Sequence, residues 1–182
     1  MRPLSDEEAR ARFEELYTAH YRKIVAYARR RCYSSDHADD VVSATFLVAW
    51  RRLEDLLGAD EPLAWLYAVA YRTVLSQRRQ VDKTARLAEK ATAQFTNVVE
   101  TVEATIEARE RLAAATAATR DLSPADQEIL RLAGWEECTH AEIAVALGIS
   151  RVLVRTRLLR ARRRLRAAYE HRLSESAGVR DE

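Results

Sequence analysis

Residues 139–166 read THAEIAVALGISRVLVRTRLLRARRRLR, and this stretch decides the fold. Thr139, with Glu142 three residues on, fits a capping box that starts a helix. Gly148 stands where the chain must take a left-handed turn. Ser150 then caps a second helix. Ile143, Leu147, Ile149, Val154 and Leu158 fall where two such helices share a core, and Ala144 is small where they cross. That is helix-turn-helix spacing. The second helix holds Arg151, Arg155, Arg157, Arg160, Arg162, Arg163, Arg164 and Arg166 and, through Arg166, no acidic residue. It would present Arg155, Thr156, Leu159 and Arg160 to a major groove. Arginine forks onto guanine, and leucine or threonine methyls meet thymine. The other arginines, Arg151 and Arg162 among them, suit phosphates. The bland alternative is a solvated amphipathic hairpin. Two caps, a central glycine and an arginine-only charge pattern together weigh against it.

Immediately upstream, LSPADQEILRL (122–132) predicts another helix, with Ser123 as cap and Pro124 in the first turn. Ile129, Leu130 and Leu132 fill one face, and Gly134 ends it. A further helix is expected over about 103–119. Residues 81–102 are polar and rich in Ala and Thr, with few large apolar side chains, which reads as a linker between two domains with room for some helix.

The N-terminal half is helical as well. Phe13, Leu16, Tyr17, His20, Ile24, Tyr27 and Ala28 recur at three- and four-residue steps. Ser5 with Glu8 fits a capping box. YSSDHADD (33–40) interrupts the pattern, with Ser35 or Asp36 as the expected cap of the next helix, 37–57. That helix has two adjacent apolar stripes, Val42, Phe46, Ala49, Leu53 and Val41, Thr45, Val48. A surface helix needs only one stripe of roughly 100°. The second means either deep burial or a partner surface. After GADEP (58–62) the helix PLAWLYAVAYRTVLSQRRQ (62–80) buries Leu66, Val69, Ala70 and Val74, with Trp65 also read as core. Tyr67, Tyr71, Arg72, Arg78 and Arg79 lie elsewhere on it. Tyrosines and arginines together either pack or stack on unpaired bases and follow their backbone.

The bulk numbers agree with a helical reading. The chain has 182 residues, 48% hydrophobic and 32% charged, with only four Gly and three Pro. Few breakers and abundant Ala, Leu, Arg and Glu favour helix. The length suits one large domain or two small ones. Net charge is +2, so a nucleic-acid surface must come from uneven placement of charge. A genome rich in G and C explains a general excess of Arg over Lys, but not the clustering of arginines. Cys32 and Cys138 lack paired metal-ligand spacing, and two reduced thiols are expected. The four histidines form no metal pair, and no phosphate loop or nucleophile elbow occurs. Asp36, Asp39 and Asp40 read as a solvated helix start. No metal, no cofactor and no enzyme activity are expected. There is no apolar leader and no run of about 18 apolar residues, so no membrane insertion is expected either.

Taken in order, these motifs resemble the extracytoplasmic-function group of bacterial sigma-70 family factors. HADDVVSATFLVAWRRL (37–53) and AWLYAVAYRTVLSQRR (64–79) resemble region two. LSPADQEILRL and EIAVALGISRVLVRTRLLRAR (142–162) resemble region four. The resemblance runs from about Phe13 to Arg166. It implies an all-α fold of two small helical domains: region two over 6–80, a linker over 81–102, region four over 103–172, and a disordered tail over 173–182. It implies a cytoplasmic bacterial factor, monomeric when free, that binds core RNA polymerase and promoter DNA and is held by an anti-sigma protein. Matching positions assign minus-thirty-five reading to Arg155, Thr156, Leu159 and Arg160, with Arg151 and Arg162 beside them. They assign minus-ten binding to Tyr67, Tyr71, Arg72, Arg78 and Arg79. Polymerase binding falls to Asp40, Val41, Ser43, Ala44, Thr45 and Val48. Three positions depart from the family pattern. Ser43-Ala44 replaces Gln-Glu, Tyr71-Arg72 replaces Arg-Asn, and Val152-Leu153 replaces Gly-Thr. These departures imply altered core affinity and an unusual minus-ten preference. The rival reading, a stand-alone helix-turn-helix regulator, would need a dimer and leaves the N-terminal motifs unexplained.

Overall fold

The structure, a computed structural model, describes residues 4–87 and 106–178. Eight α-helices and no strand occur among them. They are α1 (Asp6–Arg29), α2 (Ser35–Arg51), α3 (Leu53–Leu57), α4 (Pro62–Leu87), α5 (Ile106–Arg120), α6 (Pro124–Gly134), α7 (His140–Leu147) and α8 (Arg151–Gly178). They divide into two compact units. The first contains α1–α4, and the second contains α5, α6, α8 and the start of α7.

In the first unit α2 packs against both α1 and α4, α1 also meets α4, and short α3 fills in against α2 and α4. The core is Ile24, Tyr27 and Ala28 from α1, Val41, Val42, Thr45, Phe46 and Ala49 from α2, and Leu66, Val69, Ala70 and Val74 from α4. Each large aliphatic buried here contributes roughly 1.5–3 kcal/mol. The capping box at α1 is complete. Glu8 N donates to Ser5 Oγ at 3.2 Å, and Ser5 N donates to Glu8 Oε2 at 2.8 Å.

The structure differs from the sequence reading at five places. The cap of α2 is Ser34, not Ser35 or Asp36. Its Oγ accepts from His37 N, and the helix starts at Ser35, two residues before the expected 37. The helix expected over 37–57 breaks at Arg52, whose backbone leaves the helical region with φ −121° and ψ 39°. The break turns Leu53 and Leu56 into the core beneath α4. Helix α4 runs to Leu87, past the expected boundary at residue 80, because no Gly or Pro interrupts it. Likewise α8 continues through 173–178, which the sequence reading places in a tail, and ends only at Gly178. The remainder of the expected linker, 88–102, and residues 179–182 lie outside the described residues. Trp65 is half-buried rather than core, with the Arg52 guanidinium 5.8 Å from its ring.

In the second unit α8 packs along both α5 and α6. Ala118, Leu122, Ile129, Leu132, Ile143, Val154, Leu158 and Ala161 are buried. Ser123 caps α6 through Asp126 N at 3.1 Å. The Thr139–Glu142 capping box forms in both directions, at 2.6 and 3.3 Å. Ser150 Oγ accepts from Leu153 N at 3.2 Å. Gly148 has φ +65°, the left-handed turn the sequence requires. Two ion pairs tie α8 down: Arg164 to Asp126 of α6, and Arg172 to Asp121 just before α6.

Candidate nucleic-acid interface

Burial of Val154, Leu158 and Ala161 fixes which way α8 faces. At 3.6 residues per turn Arg151, Arg155 and Arg162 form a row beside the buried line, and the exposed surface continues through Leu159 to Val152, Thr156 and Arg160 on the far side. All six residues expected to touch the upstream element are exposed. The structure brings them together on one exposed side of α8, over about three turns without a carboxylate. Thr156 Oγ1 donates to Val152 O at 3.1 Å, so its hydroxyl serves its own helix. Val152 and Leu153, seen in the sequence only as a departure from the family pattern, are exposed at the first turn, Val152 by 73%. An apolar side chain this open at the start of an arginine-lined helix fits a thymine methyl. Arg164 is withdrawn from the set of phosphate-gripping arginines because Asp126 holds it.

In the first unit the five residues expected near the minus-ten strand separate. Tyr67 is 2% exposed and stacked on Tyr27, with ring centroids 5.0 Å apart and an interplanar angle of 29°. It is a core residue, which corrects its assignment to DNA. Arg31 caps the stack, its guanidinium 3.6 Å from the Tyr27 ring centre. Tyr71 is half-buried. Arg72 is exposed, with Nε donating to Ala68 O at 3.0 Å. Arg78 is half-buried, and its Nη2 donates to Arg31 O at 3.2 Å, joining α4 to the end of α1. Arg79 is exposed. Burial pushes the Cys32 thiol above its ordinary pKa, against the pull of the Arg78 and Arg31 charges. Cys32 is therefore a poor nucleophile at neutral pH.

The expected polymerase-binding set on α2 also divides. Val41 and Thr45 are fully buried, and Thr45 Oγ1 donates to Val41 O at 2.7 Å. Two of the three members of the second apolar stripe are thus core, because α1 and α4 cover α2 from two sides. Ala44 and Val48 are half-buried. The outward line is Asp40, Ser43, Leu47 and Trp50, with Leu47 49% exposed. Sequence reasoning missed Leu47 and Trp50, although the steps 40, 43, 47, 50 are one helical face. Trp50 leans on Phe13 at 5.2 Å, beside a train of rings formed by Tyr17, Tyr21 and Phe46. Among the described residues no helix is long and apolar enough to cross a membrane.

A helical unit with an outward apolar-polar line, followed by a helix-turn-helix with an arginine face, defines a two-part DNA-binding transcription factor. Sigma-70 region 2 matches residues 16–84, and sigma-70 region 4 matches residues 112–165. The RNA polymerase sigma factor NccH of Alcaligenes xylosoxydans xylosoxydans is 31% identical over 158 residues, covering 85% of each chain. The ECF RNA polymerase sigma factor SigL of Mycobacterium tuberculosis is 30% identical over 163 residues, covering 83% of this chain and 85% of SigL. The sigma factor RpoE of Bartonella quintana, solved in complex with the anti-sigma factor NepR, shares the fold. It has a TM-score of 0.68 and 19% identity, over 87% of this chain and 96% of that one. The chain belongs to the sigma-70 family of RNA polymerase sigma factors, in its extracytoplasmic-function group.

Proposed function

We propose that this chain binds core RNA polymerase through the outward line of α2 and selects promoters with α8. The observation that carries the reading is the pairing of two separate surfaces: an apolar-polar line around Leu47, and an arginine face with no acid on it. Arg155, Thr156, Leu159 and Arg160 read the minus-thirty-five bases, while Arg151 and Arg162 hold flanking phosphates. Tyr71, Arg72, Arg78 and Arg79 face the minus-ten strand. Capture of its unpaired bases lowers the cost of opening the duplex, and the protein performs no bond chemistry itself. Asp40, Ser43, Ala44 and Val48 join Leu47 and Trp50 at the polymerase. Region two spans about 6–80 and region four about 103–172. The factor acts in the bacterial cytoplasm at the nucleoid, is monomeric when free, and is restrained by an anti-sigma protein, as the complex of its structural neighbour RpoE with NepR illustrates.

Co-elution with purified core polymerase at physiological salt tests the reading. Exposed charge contacts alone fade at that ionic strength, so a stoichiometric complex requires the apolar line as well. In the reconstituted holoenzyme, Arg155→Ala or Arg160→Ala is expected to cost about 1–3 kcal/mol of promoter binding and to relax preference at one upstream base. No complex with core, from a protein with full helical circular dichroism, would defeat the proposal.

A further inference from the structure

We propose that Tyr33 is a stacking platform for an unpaired base, set at the basic end of the first unit. The proposal rests on the reading of that unit as the domain that captures the melted strand.

Tyr33 lies in the turn between α1 and α2 and is 49% exposed. A single exposed aromatic is ordinary. What sets this one apart is how it is held and where. His37, one turn into α2, packs on the ring with centroids 3.9 Å apart, and its Nε2 hydrogen-bonds the Tyr33 hydroxyl. The other nitrogen, Nδ1, pairs with Ser34 Oγ at 2.7 Å, and Ser34 caps α2. The ring is thus fixed by its neighbour and by the helix start, so a ligand that stacks on it orders little that was loose.

The location supplies the second half of the argument. Arg78 of α4 donates to Arg31 O, two residues before Tyr33. Both guanidiniums act on the Cys32 thiol, the residue directly before Tyr33. Arg30 precedes them and Arg79 follows Arg78, exposed. Within three residues of Tyr33 along the chain the one carboxylate is Asp36. Arg31 itself is buried over Tyr27, so the cations offered to a strand here are the half-buried Arg78 and the exposed Arg79. An aromatic held beside such cations is the combination that binds single-stranded nucleic acid: the ring takes a base, and the guanidiniums follow the backbone. Tyr33 also replaces what burial removes. Tyr67 is committed to the Tyr27 stack and offers no free face, whereas Tyr33 is half exposed.

The test uses holoenzyme reconstituted from core polymerase and the full chain, with core alone as blank. The probe is a fluorescein-labelled, mixed-sequence single-stranded DNA of about 12 nucleotides, within the span such sites cover. Tyr33→Ala is expected to weaken strand binding about tenfold, while Tyr33→Trp keeps it within about twofold. Affinity for core is expected to stay the same, and so is affinity for upstream duplex. Equal strand affinity of wild type and Tyr33→Ala overturns the proposal. Loss of core affinity with strand affinity intact also overturns it and assigns Tyr33 to a protein contact. A wild-type holoenzyme that binds the strand no better than core defeats the underlying reading of the first unit, which is a different result from either.

Discussion

Glu137 sits in the connection between α6 and α7 with φ of 53°, the left-handed region that a residue with a Cβ enters at a cost. Cys138 N donates to Leu132 O at 2.9 Å across the same turn, so the hydrogen bonding needs this backbone geometry whatever residue occupies it. Glu137→Gly is therefore expected to stabilise the second unit by about 1 kcal/mol. Urea unfolding followed by Trp135 fluorescence would check it, and an unchanged or lower midpoint would contradict it. His20 is the residue-scale case for pH. Burial first, and the Lys23 charge second, lower its pKa below the ordinary value, and its Nδ1 is buried with no hydrogen-bond partner. Between the lowered folded value and an unfolded value of about 6.5, the unfolded chain binds more protons, so stability falls as pH drops through that window. Below the folded value the loss levels off. His20→Gln is expected to flatten this dependence in thermal melts between neutral and mildly acidic pH. Neither effect was legible in the sequence. Glu137 lacks the glycine that marks a left-handed turn, and the burial of His20 depends on what covers its face of α1.

At the scale of the element, caps were legible and faces only partly so. Ser5 with Glu8, Ser123, Thr139 with Glu142, and Ser150 satisfy their own helix ends within three residues, so the sequence carries their whole geometry. The cap of α2 was misread because Ser34 and Ser35 offer the same oxygen one position apart. The two stripes of α2 posed a choice between burial and a partner. Both stripes run inward, since α1 and α4 flank the helix, and no pattern within α2 states that. The same reason hid Tyr67: α4 is covered over more of its circumference than its aliphatic stripe implies. Substitutions on α2 should separate accordingly. Val41→Ala is expected to destabilise the first unit by about 2 kcal/mol. Its core-polymerase affinity at temperatures where it stays folded should be unchanged. Leu47→Asp is expected to leave the melting temperature within a few degrees and to weaken core binding by more than about 1 kcal/mol. Paired melts and competition for core polymerase would distinguish the two, and the reverse pattern would exchange their roles.

Over the whole molecule the net charge of +2 conceals a strong asymmetry, because the eight arginines between Arg151 and Arg166 are offset by the acid-rich sequence upstream of α8, where residues 98–150 hold ten carboxylates and four arginines. Promoter affinity follows the local field of α8 rather than the total, since each arginine that neutralises a phosphate releases a condensed counterion. The arginines of α8 nevertheless divide by geometry. Arg162 is exposed on the reading side, whereas Arg164 is paired with Asp126, whose side chain is buried against the unit. Their sequence neighbourhood, ARRRLR, gives no hint of that difference, because the partner lies 38 residues away. Arg162→Ala in the holoenzyme is expected to weaken binding to duplex carrying any upstream sequence almost uniformly. It should also reduce the slope of log affinity against log salt by about 1. Arg164→Ala is expected to keep the slope and instead lower the unfolding midpoint of the second unit, because it leaves Asp126 buried without its cation. Salt titrations of both variants, paired with their melts, decide the matter. A reduced slope for Arg164→Ala would return that residue to the phosphate-binding set and make its ion pair a feature of the free protein alone.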